Sequence, residues 1–173
     1  MDAADRRSEI LHILRGRQSP VSAGSLALQM QVSRQVIVGD IALLRAQGND
    51  VIATVRGYTM ALPAQPGRYI GKIACQHTLE DTGRELLSIV ELGGEVLDVA
   101  VDHYLYGEIT GQLNIATPRD VEAFIRKLGQ NQARLLSELT GGVHLHAVAC
   151  RDGAAFKAIT ARLEELGFLY SAV

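Results

Sequence analysis

Two histidines, His144 and His146, stand two residues apart in the run Gly142-Val143-His144-Leu145-His146-Ala147. Side chains alternate along an extended strand, so both imidazoles emerge on one face. Paired imidazoles can take two corners of a site for zinc, nickel, copper or iron. His77 falls where a strand pattern gives way to a helix pattern, and Glu85 lies about two turns further on, able to turn back towards the strand. Three nitrogens and one carboxylate oxygen suit a divalent transition metal and leave a coordination position open. Taken singly, each histidine is better explained as a hydrogen-bonded structural residue and Glu85 as a solvated helix residue; the case for a ligand site rests on His144 and His146 together. Cys75 shares a strand face with His77 and is a further ligand candidate. No CxxC spacing exists, and Cys75 and Cys150 read as reduced core thiols. His12 reads as ordinary packing. His103 is not needed as a fourth nitrogen and is free to face a small molecule.

A second constellation lies near the N-terminus. Ser33-Arg34-Gln35 precedes an apolar helix face carrying Val36, Ile37, Ile41 and Leu44. A helix entering the major groove places its first side chains on base edges. There Arg34 can bridge guanine O6 and N7, and Gln35 can pair with adenine N6 and N7. Arg56 falls at a hairpin tip, within reach of phosphate or the minor groove. Tyr58 either packs under that wing or touches phosphate. Residues 1–62 hold seven Arg against five Asp and Glu, whereas residues 63–173 hold ten Lys and Arg against fourteen Asp and Glu. The basic excess thus sits with the candidate DNA reader. A winged helix that binds protein instead of DNA is the alternative reading.

These groups need elements to hold them. Ile10, Leu11, Ile13 and Leu14 stripe a helix over Asp5 to Arg15. A short helix over 23–30, a tight turn at Gln31-Val32, and a longer helix capped by Ser33 follow. Strand patterns at Val51–Val55 and Tyr58–Leu62 flank Arg56-Gly57. That order is a winged helix-turn-helix over 1–62. Pro63-Ala64-Gln65-Pro66-Gly67 interrupts both periodicities and marks a boundary. Over 67–173 strands and helices alternate: strand Tyr69–Gln76, helix Leu79–Leu92, strand Val96–Val101, strand Glu108–Ile115, a helix opened by Thr117-Pro118, a short helix from Leu135, strand Val143–Cys150, and helix Ala154–Leu166. The whole is α+β, its second part an α/β sandwich with a mixed sheet and helices.

A chain of 173 residues, 47% hydrophobic, suffices for two small domains. No run approaches the roughly 20 apolar residues that span a bilayer. The opening Met1-Asp2-Ala3-Ala4-Asp5 is unlike a signal sequence, which places the protein in the cytoplasm.

Val32-Ser33-Arg34-Gln35-Val36-Ile37, Asp40-Ile41, Leu44-Arg45, Gly48 and Gly57-Tyr58 resemble the winged helix-turn-helix of biotin-repressor-type regulators. Residues 67–173 resemble the three-histidine domain of niacin-responsive repressors of NAD biosynthesis. The matching pieces are Gly71-Lys72-Ile73, His77-Thr78-Leu79 through Glu85-Leu86, Val101-Asp102-His103 with Tyr106-Gly107-Glu108-Ile109, and Leu139-Thr140-Gly141-Gly142-Val143-His144-Leu145-His146. The resemblance implies a homodimeric repressor that binds operator DNA with nicotinate as co-repressor. It implies a divalent metal on His77, Glu85, His144 and His146, for which ligand chemistry leaves zinc and nickel both open. It departs at Tyr104, where Pro is expected, and at Ala133-Arg134-Leu135-Leu136, where a Pro-Leu pair is expected; both changes are placed near the pocket. Nicotinate can reach the metal through its ring nitrogen while a cation or amides hold its carboxylate. His103, Tyr106 and Arg119 are the candidates for that contact. Two alternatives remain at this point. One is a regulator of the same architecture answering to the metal or another small acid. The other is a small metalloenzyme fused to a DNA-binding module.

Overall fold

A computed structural model describes residues 2–61, 67–131 and 133–171. The expected boundary residues 63–66, and Leu62 before them, lie outside the described residues. The chain divides into two compact units, Met1–Ala64 and Gln65–Val173.

The first unit comprises α1 (Ala3–Arg15), α2 (Ala23–Met30), α3 (Arg34–Ala46) and the hairpin of β1 (Val51–Thr54) and β2 (Gly57–Met60). Side-chain caps fix the helix starts: Asp2, Ser22 and Ser33 each accept from a backbone N–H three residues on. Gln31 turns the chain between α2 and α3 in the left-handed region, φ 54°. Ile10, Leu14, Leu26, Ile37, Ile41 and Leu44 close one apolar core. Gly57 is required: its φ is 140°, and a Cβ there would strike the Val21 carbonyl, which accepts from Tyr58 N–H to join β2 to the turn before α2.

The second unit carries β3 (Tyr69–Gln76), a 3₁₀ turn (Leu79–Asp81), α4 (Thr82–Glu91), β4 (Glu95–His103), β5 (Gly107–Ile115), α5 (Pro118–Gln130), a 3₁₀ turn (Leu136–Thr140), β6 (Val143–Cys150) and α6 (Gly153–Glu165). Its sheet runs β3-β6-β4-β5. Contrary to the expected mixed sheet, every described pairing in it is antiparallel. The reason is topological. The α4 crossover joins two parallel strands, β3 and β4, but β6 slots between them. The α5 crossover likewise joins β5 to β6, with β4 between. Each parallel pair is thereby split by an antiparallel neighbour. The helices cover the face bearing His144 and His146: α6 seats Phe156 on Gly71, and the second 3₁₀ turn sets Leu136 against Gly111.

A bulge and a helix cap shape this unit. Against β6, β4 carries one extra residue between Val96 and Ala100. That is a bulge centred near Asp98. Its lost ladder bond is replaced by a side chain, since Ala147 N–H donates to Asp98 Oδ1 at 3.1 Å. Thr117 and Asp120 form a capping box with Pro118 in the first turn, which fixes where α5 leaves β5.

Candidate metal centre and nucleic-acid interface

The four residues chosen as metal ligands meet. The β3–β6 register sets Cys75 opposite His144 and Ile73 opposite His146, on the face that α4 covers. Glu85, 1% exposed on the first turns of α4, points its carboxylate into the three imidazoles. His77 Nε2 lies 2.6 Å from Glu85 Oε2, His146 Nε2 3.4 Å from the same oxygen, and His144 Nε2 3.3 Å from Oε1. His144 and His146 are buried, and only 4% of the His77 side chain is exposed.

The other ring nitrogen of every histidine meets a backbone carbonyl. His77 Nδ1 bonds to Thr78 O at 2.8 Å, His144 Nδ1 to Gly142 O at 2.8 Å, and His146 Nδ1 to Asp98 O at 2.7 Å. A carbonyl only accepts, so each Nδ1 carries the hydrogen and each Nε2 is left to face Glu85. A bare Nε2 lone pair against a carboxylate repels. The arrangement therefore requires positive charge at the centre, either protons on the imidazoles or a cation. Orientation of imidazole ligands by an outer carbonyl is the usual support of a metal site. Two ligand atoms at about 2.0–2.1 Å from a tetrahedral ion stand about 3.3–3.4 Å apart. Two of the three Nε2–carboxylate spacings have that value, so the donor set fits a divalent transition metal.

The electrostatics agree. Burial resists ionisation of Glu85, but hydrogen bonds from His144, His146 and His77 outweigh it and hold the carboxyl well below its usual range. Burial likewise disfavours charge on His77 and His146, yet the Glu85 hydrogen bond and charge raise both above the ordinary imidazole value. Cys75 lies in the same cluster, its sulfur within 4.8 Å of ligand atoms of Glu85 and His144. Burial and then the Glu85 charge push its thiol far up, so it stays protonated beside the centre.

Of the two glycines before the histidine pair, Gly142 is the one the site requires. Its φ is 91°, and a Cβ would stand 2.5 Å from the His77 carbonyl oxygen. Only glycine lets β6 start this close to the end of β3 while offering its carbonyl to His144. Neither this role nor that of Asp98 is visible in residue types alone; both come from backbone geometry.

A small cavity of about 30 Å³ opens beside the cluster. Its walls are Leu86, Val99, Leu113, Phe124, Leu135 and Leu136, with Thr82 and Ser137 as the neutral polar residues. His103, Tyr106 and Arg119 are not among them. His103 stacks between Tyr104 and Tyr106 on the β4–β5 hairpin, with ring centroids 4.9 and 5.1 Å away. Tyr106 is 73% exposed there, and Arg119 is exposed at the start of α5. Tyr104 is 96% exposed, so it sits in solvent instead of near the cavity; Leu135 does line it.

In the first unit α3 buries Ile37, Asp40, Ile41 and Leu44 and leaves Arg34 and Gln35 exposed. The Ser33 hydroxyl caps α3 by accepting from Val36 N–H at 3.3 Å. Arg56 is exposed on the hairpin turn. Tyr58 is half-buried against the apolar core, with the Arg45 guanidinium 5.9 Å above its ring. Sequence reasoning missed the role of Asp40. It is 4% exposed and accepts from Arg6 Nε at 2.6 Å and Nη2 at 3.3 Å, with Arg7 3.6 Å away. Arg6 and Arg7 thus serve the α1–α3 junction, so the modest basic excess of this unit overstates the charge available to DNA.

Comparison with known proteins gives a family for each unit. Residues 70–172 match the 3H domain family, and residues 6–59 match a helix-turn-helix domain family. The chain is 41% identical over 168 residues to the transcription repressor NadR of Bacillus subtilis, covering 96% of this chain and 93% of that one. It is 38% identical over 165 residues to the probable transcription repressor NiaR of Thermotoga maritima, covering 95% and 93%. The chain belongs to the NadR/NiaR family of transcription repressors. The α+β reading, with a helix-turn-helix domain before a 3H domain, holds for this family member. The metalloenzyme alternative gives way to a non-enzymatic regulator that binds DNA through its helix-turn-helix. Among the described residues, no helix is long and apolar enough to cross a membrane.

Proposed function

We propose that this repressor is switched by a small aromatic acid, with nicotinate as co-repressor, bound beside a divalent metal on His77, Glu85, His144 and His146. The observation that carries this reading is the convergence of three carbonyl-anchored Nε2 atoms on one buried carboxylate, next to a cavity walled by apolar side chains. The metal, zinc or nickel, supplies fixed positive charge at that end of the cavity. Leu86, Val99, Leu113, Phe124 and Leu135 offer apolar contact to a pyridine ring, and these walls move apart to admit it.

As a homodimer the protein presents two α3 helices, each with Arg34 and Gln35, to half-sites of a cytoplasmic operator controlling niacin uptake or NAD biosynthesis genes. Arg56 follows the adjoining phosphates or minor groove. A ligand shifts DNA affinity only by its difference in affinity for the two arrangements of the dimer. The residues lining the cavity belong to five elements, β4, β5, β6, α4 and α5, and to the 3₁₀ turn at Leu136, so an occupant can bias their packing.

A second reading, another small aromatic acid as effector, is favoured by one observation: Leu135, a departure from the family pattern, lines the cavity itself. Calorimetric titration of nicotinate and nicotinamide into metal-loaded and chelated protein tests both. Metal-dependent binding of the acid and not the amide is expected. Absence of nicotinate binding to the loaded protein would overturn nicotinate as the effector.

A further inference from the structure

Thr82 opens α4 one turn before Glu85, is 6% exposed, and lines the cavity. Its Oγ1 is buried and has no hydrogen-bond partner among the described residues. A buried hydroxyl without a partner is unfavourable, and native proteins rarely retain one unless something supplies the bond. The space that adjoins Thr82 is the cavity, so the missing partner is the cavity's occupant.

Charge fixes which end of the occupant meets Thr82. No lysine or arginine is among the described residues that line the cavity. Positive charge is available only at the histidine end, so an acid's carboxylate belongs there, the reverse of the orientation expected from the sequence, in which the ring nitrogen meets the metal and a separate cation or amides hold the carboxylate. Thr82 is neutral and stands one helical turn away, about 5–6 Å between Cβ atoms, a span that a single ring bridges. A hydroxyl at that position donates to a neutral acceptor.

Resting on the proposed effector reading, we infer that Thr82 is the specificity residue of the pocket: its hydroxyl donates to the ring nitrogen of a pyridine carboxylate whose carboxylate faces the Glu85–histidine centre. Thr82 thereby separates a pyridine acid from a benzene acid of the same shape. His103, Tyr106 and Arg119, outside the cavity, contribute nothing to that choice.

The test is calorimetric titration of nicotinate and of benzoate into metal-loaded wild type, Thr82→Val and Thr82→Ser. Melting temperature and metal affinity are measured alongside. Wild type is expected to bind nicotinate about tenfold or more tighter than benzoate, the worth of one good buried hydrogen bond. Thr82→Val is expected to erase that preference while benzoate and metal affinity stay the same. Its melting temperature is expected to hold or rise, because no protein partner is lost. Thr82→Ser, which keeps the hydroxyl, is expected to retain the preference. A Thr82→Val protein that still prefers nicotinate overturns the inference while leaving the effector reading intact. So does one that loses benzoate equally, or one that unfolds while Thr82→Ser shows no preference. A wild type that binds neither acid overturns the effector reading and this inference with it.

Discussion

The two units use polar residues in opposite ways. The DNA-reading unit closes an apolar core of Ile10, Leu14, Leu26, Ile37, Ile41 and Leu44 and sends its functional side chains outward. Its buried carboxylate, Asp40, only ties α1 to α3. The 3H unit does the reverse. It buries Glu85, His144 and His146 in the heart of the fold and hangs each imidazole on a backbone carbonyl. In the first unit, the exposed reading residues Arg34 and Gln35 can change with little effect on stability, whereas Ser33 and Tyr58 also hold the fold. In the second, site and fold are one structure, so a change in either is felt in both.

The sharpest way to break this comparison is Glu85→Gln. Removing the central charge leaves three buried Nε2 atoms without a counter-charge. We expect metal affinity to fall by more than about 100-fold, beyond the loss from an outer hydrogen-bonding partner, together with a lower melting temperature. Retained metal binding by equilibrium dialysis would show that the site does not depend on the carboxylate.

Gly142→Ala changes no ligand and is expected to damage the centre through the backbone. The left-handed φ and the close His77 carbonyl force β6 away, and His144 loses its anchor. Metal affinity is expected to drop about 10–100-fold, with a lower melting temperature. Unchanged values for both would mean that the β3–β6 approach is slack.

Arg34→Ala tests the other side. Operator affinity is expected to weaken by about 1–3 kcal/mol, with melting temperature and metal content unchanged. A stability loss would mean that α3's exposed end is structural.

The smallest effect is the pH dependence. In the metal-free protein, the raised imidazoles of His77 and His146 contribute stability that is fully present below the unfolded value of about 6.5 and lost as pH rises through the folded one. The lowered carboxyl of Glu85 contributes stability present above its ordinary range and lost as pH falls through its folded value. The metal-free unit is therefore most stable at weakly acidic pH. Metal competes with the imidazole protons, so its binding strengthens as pH rises. The gap in melting temperature between loaded and stripped protein is expected to widen from about pH 6 to about pH 8. A constant gap would mean that those protons do not occupy the centre.

Much of this was legible in the residues. Ser33 as a cap, His144 and His146 on one strand face, and the strand Tyr69–Gln76 all follow from local period and capping chemistry. Glu85's approach to the strand pair followed from helical spacing together with family motifs. What was not legible depends on contacts between distant segments. Asp98 acts through a bulge that no alternation pattern reveals. Thr82 falls inside the expected helix Leu79–Leu92 and draws no notice until its burial is known. The antiparallel sheet could not be read from element order, because β6 and β4 insert between strands that the crossovers join. His103 and Tyr106 drew attention through residue type, but the hairpin carries them away from the cavity.

The most direct test of the account uses DNA fragments selected from a random pool by metal-loaded protein in the presence of nicotinate. Fluorescence anisotropy then compares their affinity with and without nicotinate, in loaded and chelated protein. The account predicts tight binding only when metal and nicotinate are both present. Operator affinity that is indifferent to nicotinate in loaded protein, or that falls when it is added, would contradict it.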